Sequence, residues 1–139
     1  MKKTIVNKIY AYLRISADNQ FEREDGLTTQ LKHCQIWAED KGYSIEKVFE
    51  DRGVSGSTGL DKRPSLLEAI SLLKKGDILL ISRRYCLTHD FIEMDKIEAA
   101  INCKKARIIS TMGEGTENDD PSSILMRRMI DIFGEYENR

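Results

Sequence analysis

The fold is decided by the stretch Tyr10-Ala11-Tyr12-Leu13-Arg14-Ile15-Ser16-Ala17-Asp18, which closes a segment dense in apolar, β-prone residues. Such a run is typical of a parallel strand with both faces buried. Arg14 is unusual in this setting. An arginine just before the end of a strand, followed by a serine and a polar loop, can hold an anion beside a nucleophilic hydroxyl. The alternative is that Arg14 extends to the surface and Ser16 only opens a turn.

Two helices and a second strand follow in the first half of the chain. Thr28 or Thr29 is expected to cap a first helix, which Gly42 ends. The pattern over 44–51 predicts a strand, and Pro64 suits the first turn of a second helix. The inward stripe of that second helix is predicted to be Leu66, Leu67, Ile70 and Leu73.

The second half repeats the alternation of strand and helix. We predict strands over 77–82 and 107–112, a helix over 88–101, and a last helix from Pro121. Short right-handed connections between such elements build a mainly parallel sheet. The expected fold class is therefore α/β, with a four- to five-stranded sheet, helices on both faces and a long C-terminal helix.

Length and composition set outer limits on the function. A chain of 139 residues with 40% hydrophobic residues is expected to form one domain. Its 22 basic and 23 acidic residues exclude a chain-wide basic surface for nucleic acid, so any contact with DNA depends on a local cluster or another domain. The sequence shows neither an apolar run long enough to span a bilayer nor the apolar region of a signal peptide. We therefore expect a cytoplasmic protein with no membrane partner. The three cysteines lack metal-ligand spacing, and Cys34 and Cys103 are expected to be reduced and packed.

The last helix is apolar over more of its circumference than one core contact requires. One side can cover the sheet, and the other is expected to meet a second copy of the chain or a further domain. The alternative is a helix that is fully buried in a monomer. The apolar residues concerned are Ile124, Leu125, Met126, Met129, Ile130, Ile132, Phe133 and Tyr136.

Polar groups collect where the predicted strands end. The carboxyl ends of parallel strands meet at one edge of a sheet, so residues distant in sequence become neighbours there. Several cationic groups around a serine favour phosphate chemistry, because a transferring phosphoryl group needs its oxygens neutralised. The chain has no GxxxxGK[ST] or GxGxxG motif and no metal-ligand set, so no nucleotide, other cofactor or metal is expected. The edge residues are Arg14, Ser16, Asp51, Arg63, Arg83, Arg84 and His89.

Four short motifs, in this order, resemble the catalytic domain of serine recombinases, the resolvase/invertase family, and most closely large serine integrases and transposon recombinases. The resemblance covers nearly the whole chain. The nucleophile motif of that family is Y-x-R-[VI]-S, and a D-x-x-x-S-G block followed by R-P comes later. The matching segments are Tyr12-Leu13-Arg14-Ile15-Ser16, Gly26-Leu27-Thr28-Thr29-Gln30, Asp51-Arg52-Gly53-Val54-Ser55-Gly56 with Arg63-Pro64, and Phe133-Gly134-Glu135-Tyr136-Glu137.

The resemblance implies that Ser16 attacks a phosphate of double-stranded DNA and forms a 5′-phosphoserine bond, without metal or cofactor. It implies a homodimer that becomes a tetramer in the recombination complex. It also implies a catalytic domain over 1–120 and the truncated start of a dimerisation helix over 121–139, with no DNA-binding domain in this chain. The implied catalytic residues are Ser16, Arg14, Arg63, His89 and Asp90, and the implied substrate-binding residues are Tyr12, Gln30, Asp51, Ser55, Arg83, Arg84 and Glu137.

The chain departs from the family at one block. The family pattern D-R-L-x-R-D is replaced by Tyr85-Cys86-Leu87-Thr88-His89-Asp90, so that Cys86 and His89 stand where arginines are expected. A cysteine cannot bind phosphate as a guanidinium does, and a histidine does so only when protonated. An alternative function is therefore a degenerate member that assembles on DNA but cleaves poorly. A further alternative is a flavodoxin-like small-molecule or regulatory module that shares only the fold.

Overall fold

A four-stranded parallel sheet positions the rest of the molecule. The computed structural model describes residues 8–15, 26–55 and 58–137. The strands are β1 (Ile9–Ile15), β2 (Ile45–Arg52), β3 (Ile78–Ile81) and β4 (Arg107–Ser110), in the spatial order β2-β1-β3-β4. All three neighbouring pairs are parallel. The predicted α/β fold with a mainly parallel sheet is thus confirmed, and the residues described contain no fifth strand.

Helices cover both faces of the sheet. Alternating side chains of β1 separate two cores, because successive residues of a strand point to opposite faces. Tyr10 and Tyr12 join one core with the second and fourth helices, whereas Ala11 and Leu13 join the other with the first helix. The helices are α1 (Leu27–Lys41), α2 (Pro64–Leu72), α3 (Arg84–Leu87), α4 (Phe91–Cys103) and α5 (Pro121–Glu137), and a 3-10 turn covers Leu60–Lys62.

Several local predictions were wrong. The residue at the cap of α1 is Gly26, whose carbonyl accepts the first helical hydrogen bond, so Thr28 and Thr29 lie inside the first turn. Leu67 is 41% exposed because α2 turns Leu66, Ala69 and Ile70 inward and leaves Leu67 outside that stripe. Cys103 is exposed at the last residue of α4, whereas Cys34 is buried as expected.

The C-terminal helix α5 leaves much apolar surface uncovered. This 17-residue helix contacts α3 and α4, yet Leu125 and Phe133 each remain 60% exposed. Met126, Met129 and Ile132 are also about half exposed. The prediction that this helix carries a second apolar face is therefore correct for the single chain. Among the residues described, no helix is both long and apolar enough to cross a membrane.

A cluster of buried arginines at the carboxyl edge of the sheet

Arg14 lies near the end of β1 and points into the protein. It is 6% exposed, so the alternative in which its side chain extends to the surface is wrong. Its guanidinium donates from Nε to the Cys86 carbonyl at 2.9 Å, from Nη1 to the Val54 carbonyl at 3.0 Å, and from Nη2 to the Tyr85 carbonyl at 3.2 Å. Burial lowers the pKa of Arg14, and the charge of Arg63 lowers it further. The group nevertheless stays protonated, because an arginine pKa is so high.

Arg63 lies at the N-terminal cap position of α2 and is fully buried. Its Nη2 donates to the Tyr12 hydroxyl at 3.0 Å and to the Leu87 carbonyl. The Tyr12 hydroxyl donates in turn to Asp51 Oδ2 at 2.8 Å. Burial raises the pKa of Tyr12, the largest effect on that group, so the phenol stays neutral. The Nε and Nη1 donors of Arg63 are buried without a hydrogen-bond partner among the residues described.

Asp51 fixes the start of the helix that carries Arg63. Its Oδ1 accepts from the Ser65 N–H at 2.9 Å, and its Oδ2 accepts from the Leu66 N–H at 3.2 Å. These are free donors of the first turn of α2, so the carboxylate acts as a cap supplied from β2. Asp51 was predicted to bind substrate, but its oxygens are already engaged by α2 and Tyr12. Its position favours a role in placing Arg63.

His89 is neutral and contacts Arg14. Burial, followed by the charges of Arg14 and Arg63, lowers the pKa of His89 to about 4. Its Nε2 lies 3.0 Å from Arg14 Nη2, which can only donate, so Nε2 accepts and Nδ1 carries the proton. The imidazole stacks on the Tyr85 ring with centroids 3.9 Å apart. Nδ1 is buried and has no hydrogen-bond partner among the residues described.

The arginine cluster is formed by Arg14, Arg63, Tyr12, Asp51 and His89. Two further predicted site residues have structural partners outside it. Arg84 forms a bidentate pair with Asp131 of α5, at 2.7 and 2.8 Å, and also contacts Glu98 at 2.7 Å. Arg84 was predicted to bind substrate, but its guanidinium is 1% exposed and these carboxylates account for its burial. Asp90 was predicted to be catalytic, but it caps α4 by accepting from the N–H groups of Ile92 and Glu93.

The remaining predicted residues are placed as follows. Gln30 is buried and hydrogen-bonded to the main chain of Arg14, so it belongs to the cluster. Ser55 is exposed in the loop that follows β2, and Arg83 precedes α3. Glu137 is the last residue of α5. Ser16 lies outside the described residues, immediately after the end of β1 at Ile15.

Some groups of the cluster were not identified from the sequence. The main-chain carbonyls of Val54, Tyr85 and Cys86 hold Arg14, and the Leu87 carbonyl holds Arg63. Main-chain acceptors carry no residue signature, so no sequence pattern points to them. The side chain of Tyr85 was also missed as a partner of His89. Within the described part of the chain, the cluster thus combines two guanidinium groups with the single carboxylate of Asp51, and this excess of positive charge can bind an anion.

Comparison with known proteins agrees with the resemblance in the sequence. Residues 9–139 match the family model of the resolvase N-terminal domain. The serine recombinases PinR and PinQ of Escherichia coli K12 are each 25% identical over 134 residues, which is 95% of this chain and 63% of theirs. The chain therefore spans less than two thirds of the length of these curated relatives.

Solved structures show the same architecture. The N-terminal catalytic domain of TP901-1 integrase superposes with a TM-score of 0.72 at 20% identity, covering 95% of this chain and 97% of that domain. The C-terminal catalytic domain of ISC1926 TnpA, an IS607-like serine recombinase, gives a TM-score of 0.61 at 26% identity, covering 91% and 80%. The fold, the motifs and the family match agree, and the chain belongs to the resolvase N-terminal domain family.

Proposed function

We propose that this chain is the catalytic part of a serine recombinase that cuts and rejoins double-stranded DNA. In the proposed step, Ser16 Oγ loses its proton and attacks a DNA phosphorus. A Ser16–phosphorus bond forms, the bond from phosphorus to the 3′ oxygen breaks, and the departing 3′ oxygen takes up a proton. The phosphodiester is preserved as a 5′-phosphoserine, so rejoining by the reverse step needs no ATP.

The observation that carries this proposal is the state of Arg63. Two of its donors are buried and lack a partner among the residues described, although unpaired buried donors are costly. A phosphate oxygen accepts from a guanidinium, and a second guanidinium, that of Arg14, belongs to the same cluster. Both side chains lie at the edge of the sheet where β1 ends. The last residue of β1 is Ile15, which directly precedes Ser16 in the sequence.

Covalent trapping tests the proposal. The protein is incubated with end-labelled duplex DNA at low ionic strength, denatured, and separated on a gel. We expect the wild-type chain to retain label, Ser16→Ala to retain none, and Ser122→Ala, an exposed serine on α5, to match the wild type. An adduct of equal yield in Ser16→Ala would contradict the proposal.

A second candidate is a degenerate member that assembles on DNA but cleaves poorly. It is favoured because Cys86 and His89 stand where the family pattern has arginines and because His89 is neutral. The cluster therefore has two positive charges fewer than the family pattern predicts. Losing one preorganised donor typically costs about 100- to 1,000-fold in rate. On this hypothesis, Cys86→Arg with His89→Arg raises cleavage by at least about 100-fold. Gln35→Arg with Ser122→Arg adds the same charge at exposed sites and serves as the control.

Assembly is part of the proposal. The exposed apolar face of α5, formed by Leu125, Met126, Met129, Ile132 and Phe133, suits a second copy of the chain, and a tetramer is proposed for the recombination complex. The net charge of −1 predicts weak binding of this chain to DNA on its own. Relatives named as serine recombinases support this function over a small-molecule module.

A further inference from the structure

The ring of Tyr85 fills the space between α5 and His89. A methyl group built on Gly134 of α5 would lie 3.2 Å from Tyr85 Cδ1, which is tighter than ordinary carbon contact. On the other side, the Tyr85 ring stacks on the His89 imidazole at 3.9 Å with an angle of 20° between the planes. The ring therefore touches the C-terminal helix and the arginine cluster at once.

The same short segment holds the guanidinium of Arg14. Among the residues described, three of the four acceptors around Arg14 come from residues 85–89: the carbonyls of Tyr85 and Cys86, and Nε2 of His89. The fourth is the Val54 carbonyl at 3.0 Å. A displacement of residues 85–89 would thus remove most of the hydrogen bonds that orient this guanidinium.

A buried ion pair ties this segment to α5. Arg84, the first residue of α3, donates from Nε to Asp131 Oδ1 at 2.7 Å and from Nη2 to Asp131 Oδ2 at 2.8 Å. Both side chains are almost completely buried, at 1% and 3% exposure. Bidentate arginine–carboxylate pairs fix direction as well as distance. One turn of helix is therefore anchored to α5 at two consecutive residues, Arg84 and Tyr85.

We propose that Tyr85 is a positioning residue through which the C-terminal helix α5 sets the orientation of Arg14. In the present position of α5, the Tyr85 ring packs against His89 and holds it in contact with Arg14. The Arg14 guanidinium then donates its hydrogen bonds to protein acceptors. When α5 moves, the acceptors on residues 85–89 move with it and Arg14 donors become available to an anion. The importance of this coupling for cleavage rests on the proposed function, whereas the coupling itself does not.

The coupling can be measured without DNA. In the full 139-residue chain, long-range proton–nitrogen NMR spectra report the tautomer and surroundings of the His89 ring, and the Arg14 Nε–H reports its hydrogen bond. We expect Gly134→Ala to shift both sets of signals, and Ser122→Ala, on the same helix, to leave them in place. Combining Gly134→Ala with Tyr85→Ala should produce no shift beyond that of Tyr85→Ala alone. Combining it with Tyr85→Phe, which keeps the ring, should restore the shift.

Three results would overturn the proposal. The first is a folded Gly134→Ala protein whose His89 and Arg14 signals match the wild type. The second is an equal shift in the presence and absence of the Tyr85 ring, which would mean that another contact transmits the effect. If Gly134→Ala does not fold, the Tyr85→Ala variant is the test. We expect Tyr85→Ala to shift the NMR signals of both the His89 ring and the Gly134 amide. The third contrary result is a Gly134 amide signal that does not move in Tyr85→Ala.

Discussion

Gln30 binds both main-chain polar groups of Arg14. Its Oε1 accepts from the Arg14 N–H at 3.1 Å, and its Nε2 donates to the Arg14 carbonyl at 2.8 Å. The pairing of β1 with β3 ends at Ala11 and Leu80, although β1 continues to Ile15. The amide of Gln30 thus supplies the partners that a neighbouring strand would have supplied. Helix α1 thereby fixes the end of the strand that leads to Ser16.

Replacing Gln30 by leucine is expected to destabilise the protein by about 2–4 kcal/mol, because two buried main-chain groups lose their partners. The free energy of unfolding is measured by urea denaturation followed by circular dichroism. Gln35→Leu is the matched control, since Gln35 is exposed on the same helix. We expect the control to change stability by less than about 0.5 kcal/mol. Equal effects of the two substitutions would show that Gln30 is not a structural partner of Arg14.

The fold was accessible from the sequence where periodicity was strong. The apolar runs of β1 and β3 and the stop at Gly42 predicted elements that the structure confirms. The one-turn helix α3 was missed because four residues carry no periodic signal. Its place is set by tertiary contacts instead, namely the Arg84–Asp131 pair and the hydrogen bonds from Arg14. Such contacts join positions far apart in the chain.

The neutral state of His89 makes the stability of the protein depend on pH. The pKa of His89 is about 4 in the folded protein, whereas an unperturbed histidine has a pKa of 6.5. Between these values the unfolded chain binds more protons, so stability is full above about pH 6.5 and falls as the pH drops toward 4. His89 is only partly buried, and solvent screening reduces this contribution to about 1–2 kcal/mol.

The His89→Gln variant isolates this contribution, because the amide oxygen of the introduced glutamine can still accept from Arg14 but does not titrate. The difference in the free energy of unfolding between wild type and variant is measured from pH 7 to pH 4. We expect the wild type to lose stability relative to the variant as the pH falls. A difference that stays constant over this range would contradict the assigned state of His89.

The Arg84–Asp131 pair is expected to be a major support of α5. Asp131→Asn leaves a buried guanidinium short of its carboxylate and should cost about 3–5 kcal/mol in unfolding free energy. Asp95→Asn breaks the exposed pair between Asp95 and Arg128 and should cost less than about 1 kcal/mol. Thermal and urea denaturation measure both. If Asp131→Asn lowers the free energy of unfolding no more than Asp95→Asn does, the Arg84–Asp131 pair does not anchor α5.

The apolar face of α5 is expected to mediate self-association. Leu125→Glu places a charge on that face, whereas Ile36→Glu makes the same change in charge at a comparably exposed position on α1. Sedimentation velocity over a concentration series should show a dimer for the wild type and for Ile36→Glu. Leu125→Glu should weaken association by at least about tenfold. A wild-type chain that stays monomeric at the highest concentration would contradict this role of α5.

The candidate site was only partly accessible from the sequence. Parallel topology predicted that Arg14 and Arg63 would meet at one edge of the sheet, and the structure brings them together. The direction in which their N–H groups point was not predictable from the sequence. Their hydrogen bonds are accepted by main-chain carbonyls, those of Val54 and of residues 85–87. Arg84 was predicted to bind substrate, whereas the structure pairs it with Asp131, which lies 47 residues further along the chain and could not be identified as its partner from the sequence. The role of Ser16 stays a prediction.

The most direct test of the central claim is the chemical nature of the bond between protein and DNA. Protein that has reacted with duplex DNA at low ionic strength is digested with protease and nuclease, and the nucleotide-bearing peptide is sequenced by mass spectrometry. We predict one modified residue, Ser16, joined through a phosphodiester to the 5′ oxygen of a nucleotide. Attachment at another residue, linkage to a 3′ oxygen, or the absence of any adduct from folded protein bound to DNA would contradict the account.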